Sequence, residues 1–401
     1  MQPLLDIKQI EAVKRNDGVI LMTVGRNTRS IRKTSEFEAI IAIDRWGKIV
    51  WQREMDFCLM DCRQSRQGTL LVMGTSGRAA ELSLDGEILR EWFCVDRFPD
   101  GFNGIPLNTM KLHHTITELS SGLLASLSIE HVPLQSPSAE WTHLMGDTIV
   151  IFDRDGKIHN EISLAQILDT KRHTFDSTVP YWRMQGFDKT LDWSHANCLI
   201  EDPNDGGYLL SFRHQDAVVK ISPDGKLVWI LGDPTGWSGK YANKLLQING
   251  GLPFYHQHDL SFTQAGDLML FDNGTAGAFP PNPRQSIEER ESFALCYTID
   301  EAAMTATETW RFGGADLPYS HYVSGVCELP NENRFIACSG IKLDLDGNRV
   351  ETPPLGVGSI EFFEVTPSKE VVFHAEMADP DAVPEAGWNG FRPEYVQNWP
   401  V

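Results

Sequence analysis

The sequence is short of basic charge, of long apolar runs, of helical periodicity and of cysteines that could pair. Lysine and arginine number 35 against 55 aspartates and glutamates, a net charge of −20 over 401 residues. A surface of that sign repels phosphate backbones and anionic lipids, so nucleic-acid and membrane partners are not expected. No stretch approaches the roughly 18 consecutive apolar residues of a spanning helix. The opening segment MQPLLDIKQIEAVKRND has neither a basic n-region nor an apolar core, so no signal peptide is read there. The cysteines are odd in number and mostly isolated; Cys58 and Cys62 form a lone C-x3-C without a second pair. They read as buried reduced thiols, which points to the cytoplasm.

What is present is a repeat. A turn glycine, an apolar run, a second strand, a D-x-x-G or D-G turn and a third run often ending in tryptophan recur along the chain. Second strands such as DTIVIFDRDG and DAVVKISPDG show the pattern, as do third strands such as GKIVW and GKLVWIL. Short runs rich in β-branched and aromatic residues between Gly/Asp/Asn turns are strand and hairpin chemistry. The reading is an all-β chain, one six-bladed β-propeller domain over residues 1–401 with long loop insertions on one face. The blades fall at about 1–55, 56–95, 110–160, 192–232, 255–313 and 320–375, with a C-terminal tail at 376–401. The first strand of each blade is expected just before its turn glycine, so that IKQIEAVKR opens blade one. One helix is expected, over SLAQILDTKRH (163–173). Trp51, Trp92, Trp229 and Trp310 share a repeat position and are expected to pack between blades. Insertions at 95–112, 130–146, 158–193, 232–256 and 274–291 are long enough to cover a site.

Histidines lie in phase with this frame. His114 and His258 each precede their turn glycine by eight residues, and His195 precedes Gly206 by eleven, with D-P-N-D between them. Each then begins the strand nearest the axis, so the three imidazoles should meet at one mouth. The matching positions elsewhere are Ile10, Met60 and Ser324 or Gly325. Clustered titratable groups that repel when charged mark functional sites. Arg213 and His214 end a strand of the fourth blade. Asn197 shares a face with His195 by the period of two, and His113 and His256 adjoin the trio.

These residues resemble a known family. H-x-N in DWSHANCLIED, the arginine of SFRHQDAVV and QHD followed by FDNG in HQHDLSFTQAGDLMLFDNG are similar to the aryl-sulfate sulfotransferases. The similarity is concentrated in 193–274. The resemblance implies a six-bladed propeller that moves a sulfuryl group from an aryl sulfate to a phenol without a nucleotide donor or other cofactor. It implies His258 as a nucleophile transiently sulfated on nitrogen, with His195, Arg213 and His114 as its catalytic partners. Asn197, His256, His214, His113 and Asn273 would then contact substrate. Aromatic loops such as PYWRMQGF and AGAFPPNP could hold aryl rings. A homo-oligomer is compatible with the composition. The chain departs from well-known members in having no cysteine pair near the nucleophile and no N-terminal sandwich domain.

Two other readings stand beside it. A metal-assisted hydrolase or lyase would use His114, His195 and His258, with His256 adjacent, to hold a divalent cation. Its substrate would be an aromatic or carboxylate-bearing small molecule. A binding propeller would carry a polar motif on every blade, whereas the polar residues concentrate on blades three to five.

Overall fold

The computed structural model describes residues 3–27, 37–99, 101–179, 181–351, 356–379 and 386–400. Asp100 and Pro180 in two insertions, and part of the expected tail, therefore lie outside the described residues. Within them the chain is all-β and propeller-like, a series of four-stranded antiparallel meanders in five sheets. Leu59–Gln64, Leu70–Gly74, Arg78–Leu82 and Ile88–Cys94 make one. Meanders beginning at Leu112, Ala196 and His258 follow. The largest sheet has nine strands and holds two meanders joined by one bridge between Gly358 and Gly387.

Apolar cores lie between successive meanders. Leu71 and Trp92 pack against Leu112 and Val150, Leu127 and Ile149 against Leu199 and Val219, and Cys198 and Trp229 against Leu260 and Leu295. The last of these cores returns to the beginning of the chain, with Phe335 and Phe362 against Ile20 and Ile41. The repeated tryptophans serve this packing. Trp92 Nε1 donates to the Arg154 carbonyl of the next meander at 3.1 Å, and Trp229 Nε1 to Glu301 at 2.8 Å.

The expected first strand is displaced. Asp6–Ile10 pairs with Val371–Met377 at the outer edge of the last meander. The inner strand of the first meander is instead Gly387–Val396, which pairs with Val19–Asn27. The segment read as a tail thus closes the ring, and its Arg392, not Ile10, takes the axial position. The expected helix at 163–173 shortens to one 3₁₀ turn, Leu164–Gln166. Leu164 and Leu168 join the apolar core, while Arg172 reaches the carbonyls of Thr235 and Asp233 at 2.9 and 3.0 Å and that of Gln215. Those tertiary bonds outweigh the weak helical preference of so short a segment.

Each inner strand starts at the mouth. The second hairpin of a meander and its link to the next must therefore return to that end, which places the five insertions together above the histidines. No helix among the described residues is long and apolar enough to cross a membrane. The seven cysteines form no disulfide.

Candidate active site

The inner strands begin with irregular backbone. His114, His195 and His256 have φ of 59°, 47° and 57°, a left-handed region that non-glycine residues rarely occupy. Strand register breaks beside the histidines, between His113 and Ile116, between Ala196 and Cys198, and between His258 and Ser261. Such bulges re-aim side chains. Here they gather imidazoles at the mouth, with ring centroids 5.4 Å apart for His114 and His195, 4.6 Å for His195 and His214, and 5.7 Å for His214 and His256.

Buried carboxylates hold these starts in place. Asp147 Oδ2 accepts from Ser194 Oγ at 2.6 Å and from the Ala196 amide at 2.7 Å. Asp216 Oδ1 accepts from the His256 amide at 2.7 Å. Asp147 lies within the strand His143–Phe152 and Asp216 just before Ala217–Ile221, the D of DTIVIF and of DAVVKI, so the signal was a shared repeat position rather than a motif.

His258 is the most constrained ring. Its Nδ1 donates to Asn273 Oδ1 at 2.7 Å and to the His256 carbonyl at 3.1 Å. The Asn273 amide is oriented in turn, because its Nδ2 donates to the carbonyls of Ser320 (3.1 Å) and Val323 (3.2 Å). Only Oδ1 can therefore face the imidazole. The proton sits on Nδ1 and the lone pair on Nε2. Burial first, and the Arg213 charge second, hold the ring well below the ordinary histidine pKa. Gly274 follows because a Cβ there would lie 1.9 Å from the Glu291 carbonyl oxygen.

The other histidines differ in what their ring nitrogens meet. His195 Nδ1 donates to Asp192 Oδ2 at 2.8 Å, and Trp182 Nε1 donates to the other oxygen of that carboxylate at 2.9 Å. Burial favours the neutral acid at Asp192, but His195 and His214 outweigh it and the pKa is lowered. His214 Nε2 meets a guanidinium nitrogen of Arg213, which can only donate, so its proton lies on Nδ1, bonded to the Asp192 carbonyl at 2.7 Å. Burial, and repulsion from His195 and Arg213, keep His214 neutral despite Asp192. His114 is held well below its ordinary pKa by burial and then by His113, His195 and His258. His256 goes the other way. Burial opposes its charge, but Asp216 (2.9 Å) and Asp176 (3.3 Å) on its two nitrogens raise its pKa.

The histidine phase read from the sequence thus brings His114, His195 and His258 into one cluster with Arg213. The residues expected to contact substrate are largely engaged within the chain. Both polar ends of Asn273, both ring nitrogens of His256 and both of His214 have partners. Asn197 Nδ2 donates to the Gln257 carbonyl at 2.7 Å rather than into the channel. His113 faces Asp147 at 3.1 Å and His114 Nδ1 at 2.8 Å. His256 lies just outside the strand that begins at His258, and its ring meets Asp216 whereas that of His258 meets Asn273. Sequence reasoning missed Asp147, Asp176, Asp192, Asp216 and Arg392.

Three groups among the described residues bring three metal-ligand atoms within 4.8 Å of one another: Asp176 with His214 and His256, Asp192 with His195 and His214, and Asp202 with Asp205 and Glu301. The trio His114, His195 and His258 is not among them. The last group surrounds Lys220 Nζ, which pairs with all three acids at 2.6–2.8 Å. In the first, Arg213 and Arg284 already pair with Asp176, at 3.3 and 2.6 Å. In the second, the His214 nitrogen nearest the carboxylate carries the proton. These donor sets suit retained protons and guanidinium groups better than a cation.

Residues 7–385 match the family model described as arylsulfotransferase (ASST). The chain belongs to the arylsulfotransferase family. This family member is 23% identical over 317 residues to the arylsulfate sulfotransferase AssT of Lelliottia amnigena, covering 68% of the chain and 52% of that relative. It is 27% identical over 209 residues to the arylsulfate sulfotransferase AssT of Escherichia coli O6:H1 strain CFT073, covering 42% and 34%. The chain spans about half the length of the first of these curated relatives, and less of the second. Among solved structures it is similar to a protein of unknown function from Bacteroides caccae, 12% identical, with a TM-score of 0.49 over 94% of this chain and 99% of that one. The arylsulfotransferase match spans every residue of the histidine cluster.

Proposed function

We propose that the chain moves a sulfuryl group from an aryl sulfate to a phenolic acceptor through a sulfohistidine at His258, within a six-bladed ring. The observation that carries this reading is the fixed tautomer of His258, a neutral buried imidazole whose lone pair on Nε2 takes no hydrogen bond among the described residues. That is what a nitrogen nucleophile requires at neutral pH.

In the first half-reaction Nε2 attacks sulfur and the bond from sulfur to the aryl oxygen breaks. The proton stays on Nδ1, hydrogen-bonded to Asn273 Oδ1, which supports the positive charge that develops on the ring. His195, entering this step protonated on both nitrogens with Nδ1 held by Asp192, gives its Nε2 proton to the departing phenolate. Arg213 faces the sulfate oxygens with a planar set of donors. In the second half-reaction the acceptor hydroxyl returns a proton to His195, its oxygen attacks sulfur and the bond to nitrogen breaks. Asn273 and His256, expected at the substrate, act on this reading as supports for the nucleophile and for Asp176.

The test is an intact mass spectrum after mixing the protein with p-nitrophenyl sulfate and no acceptor. A gain of one sulfuryl group mapping to His258, with one equivalent of nitrophenol, is the expected result. Absence of both, together with stoichiometric bound metal, would transfer support to the metal-assisted alternative.

A pH dependence follows from the lowered pKa of His258. A histidine with a depressed pKa is neutral above it and is lost as a nucleophile only when pH falls through it. The nitrophenol burst is therefore expected not to fall as pH is lowered from about 7.5 to about 6, although protonation of the acid His195 can raise it. A drop of tenfold across the ordinary histidine range, near 6.5, would contradict the neutral-imidazole assignment.

A further inference from the structure

One buried cation near the site has no acid. Lys111 is 9% exposed, and its ammonium forms no hydrogen bond or ion pair with the described residues. It lies 5.8 Å from the centroid of the Trp182 ring. Arg97 lies beside it, with its guanidinium 5.7 Å from the Phe187 ring and Nε donating only to the Met110 carbonyl at 3.2 Å. Neither has a carboxylate within ion-pair distance among the described residues. In a chain with a net charge of −20, a buried ammonium beside a half-buried guanidinium, with no acid on either among the described residues, requires a reason, because an uncompensated buried charge is costly.

Their surroundings connect to the histidines. Trp182 and Phe187 pack together at 5.9 Å, Tyr181 meets Trp182 at 5.1 Å, and Tyr181 meets His195 at 6.4 Å. An aromatic wall thus runs from the imidazole that faces the leaving oxygen to the two unpaired cations. A phenol seated along this wall, with its hydroxyl at His195, would direct its opposite end towards Lys111.

We propose that Lys111 and Arg97 form a subsite for a second anionic group on the aryl ring, so that the preferred donors and acceptors are phenols bearing a carboxylate or similar anion. This rests on the sulfuryl-transfer reading above. Burial first, and Arg97 second, push the Lys111 pKa down to about 8; a bound anion is what would restore it. Because leaving and incoming phenols use the same seat in a two-step transfer, the preference must appear in both half-reactions.

The experiment compares 4-hydroxyphenylacetate with 4-ethylphenol as acceptors, and their sulfate esters as donors, by kcat/KM. The wild type is expected to favour the acid at least tenfold in each direction. Lys111→Met is expected to reduce that ratio roughly tenfold or more, the worth of a hydrogen bond to a charged group, while Lys111→Arg retains most of it. No preference in the wild type, or an unchanged ratio in Lys111→Met, overturns the proposal. If Lys111→Met fails to fold, the wild-type ratio and that of Arg97→Gln decide the matter. If no phenol is sulfated at all, the transfer reading has failed, and calorimetric titration with 4-hydroxyphenylacetate tests the subsite separately. Binding at least tenfold tighter than 4-ethylphenol upholds it, and equal or absent binding removes it.

Discussion

His258→Ala is expected to fold, to take up no sulfuryl group and to lose transfer by on the order of 10⁴-fold or more. The size follows from the role: without Nε2 there is no first half-reaction, and the remaining groups can only orient donor and acceptor. The fold should survive because the loss opens onto the mouth and removes one donor, which Asn273 Oδ1 and the His256 carbonyl share. That costs about 1–3 kcal/mol, against a total stability of about 5–15 kcal/mol for a typical domain. The measurement is nitrophenol release from p-nitrophenyl sulfate beside a urea transition. Added imidazole should restore part of the release in the variant, since the small base can occupy the vacated position. Transfer within a few-fold of wild type in His258→Ala would remove the nucleophile from the mechanism.

The second large effect concerns stability. Arg392→Met is expected to destabilise the protein by about 3–5 kcal/mol, the typical cost of removing one partner from a buried ion pair. Arg392 is fully buried on the axis. Its guanidinium reaches Asp61 at 3.2 Å and Asp259 at 3.8 Å, the His114 carbonyl at 3.2 Å and the Asn197 carbonyl at 3.4 Å. Without it only Arg63 faces both acids, at 3.2 and 3.1 Å. Glu394 lies in the same interior, and burial pushes its pKa up to about 7 from 4.5, with Arg63 and Arg392 opposing the rise. A raised folded pKa contributes stability at low pH that is lost as pH climbs through it. The deficit of Arg392→Met should therefore be larger at about pH 8 than at about pH 5. Urea midpoints at both values check this; a shift below about 0.5 kcal/mol at pH 8 would contradict the axial role.

How much of this was legible from the sequence follows the range of the interactions. Strands and turns are local, so Gly68, Gly122 and Gly266 with the apolar runs after them located the meanders. Their spacing from the turn glycines then placed His114, His195 and His258 together. The closing strand was not legible because pairing Val19–Asn27 with Gly387–Val396 joins opposite ends of the chain, and no turn between them records it. The helix at 163–173 failed because Arg172 is drawn into carbonyls some 40 to 60 residues away. The aspartates were visible as letters but not as functions. Asp147 and Asp216 were read as strand starts, and Asp176 and Asp192 lie in an insertion whose path only tertiary contacts define.

The strand Gly387–Val396 has a consequence for biosynthesis. While the chain is emerging from the ribosome, the first meander exposes the open edge of Val19–Asn27, a surface to which other strands can add. The guanidinium beneath His114 and Asn197 is also made after every histidine of the cluster. A message truncated shortly before codon 387 would yield every histidine of the cluster without the strand that supports them, and the unfilled edge is expected to mark that product for aggregation or degradation.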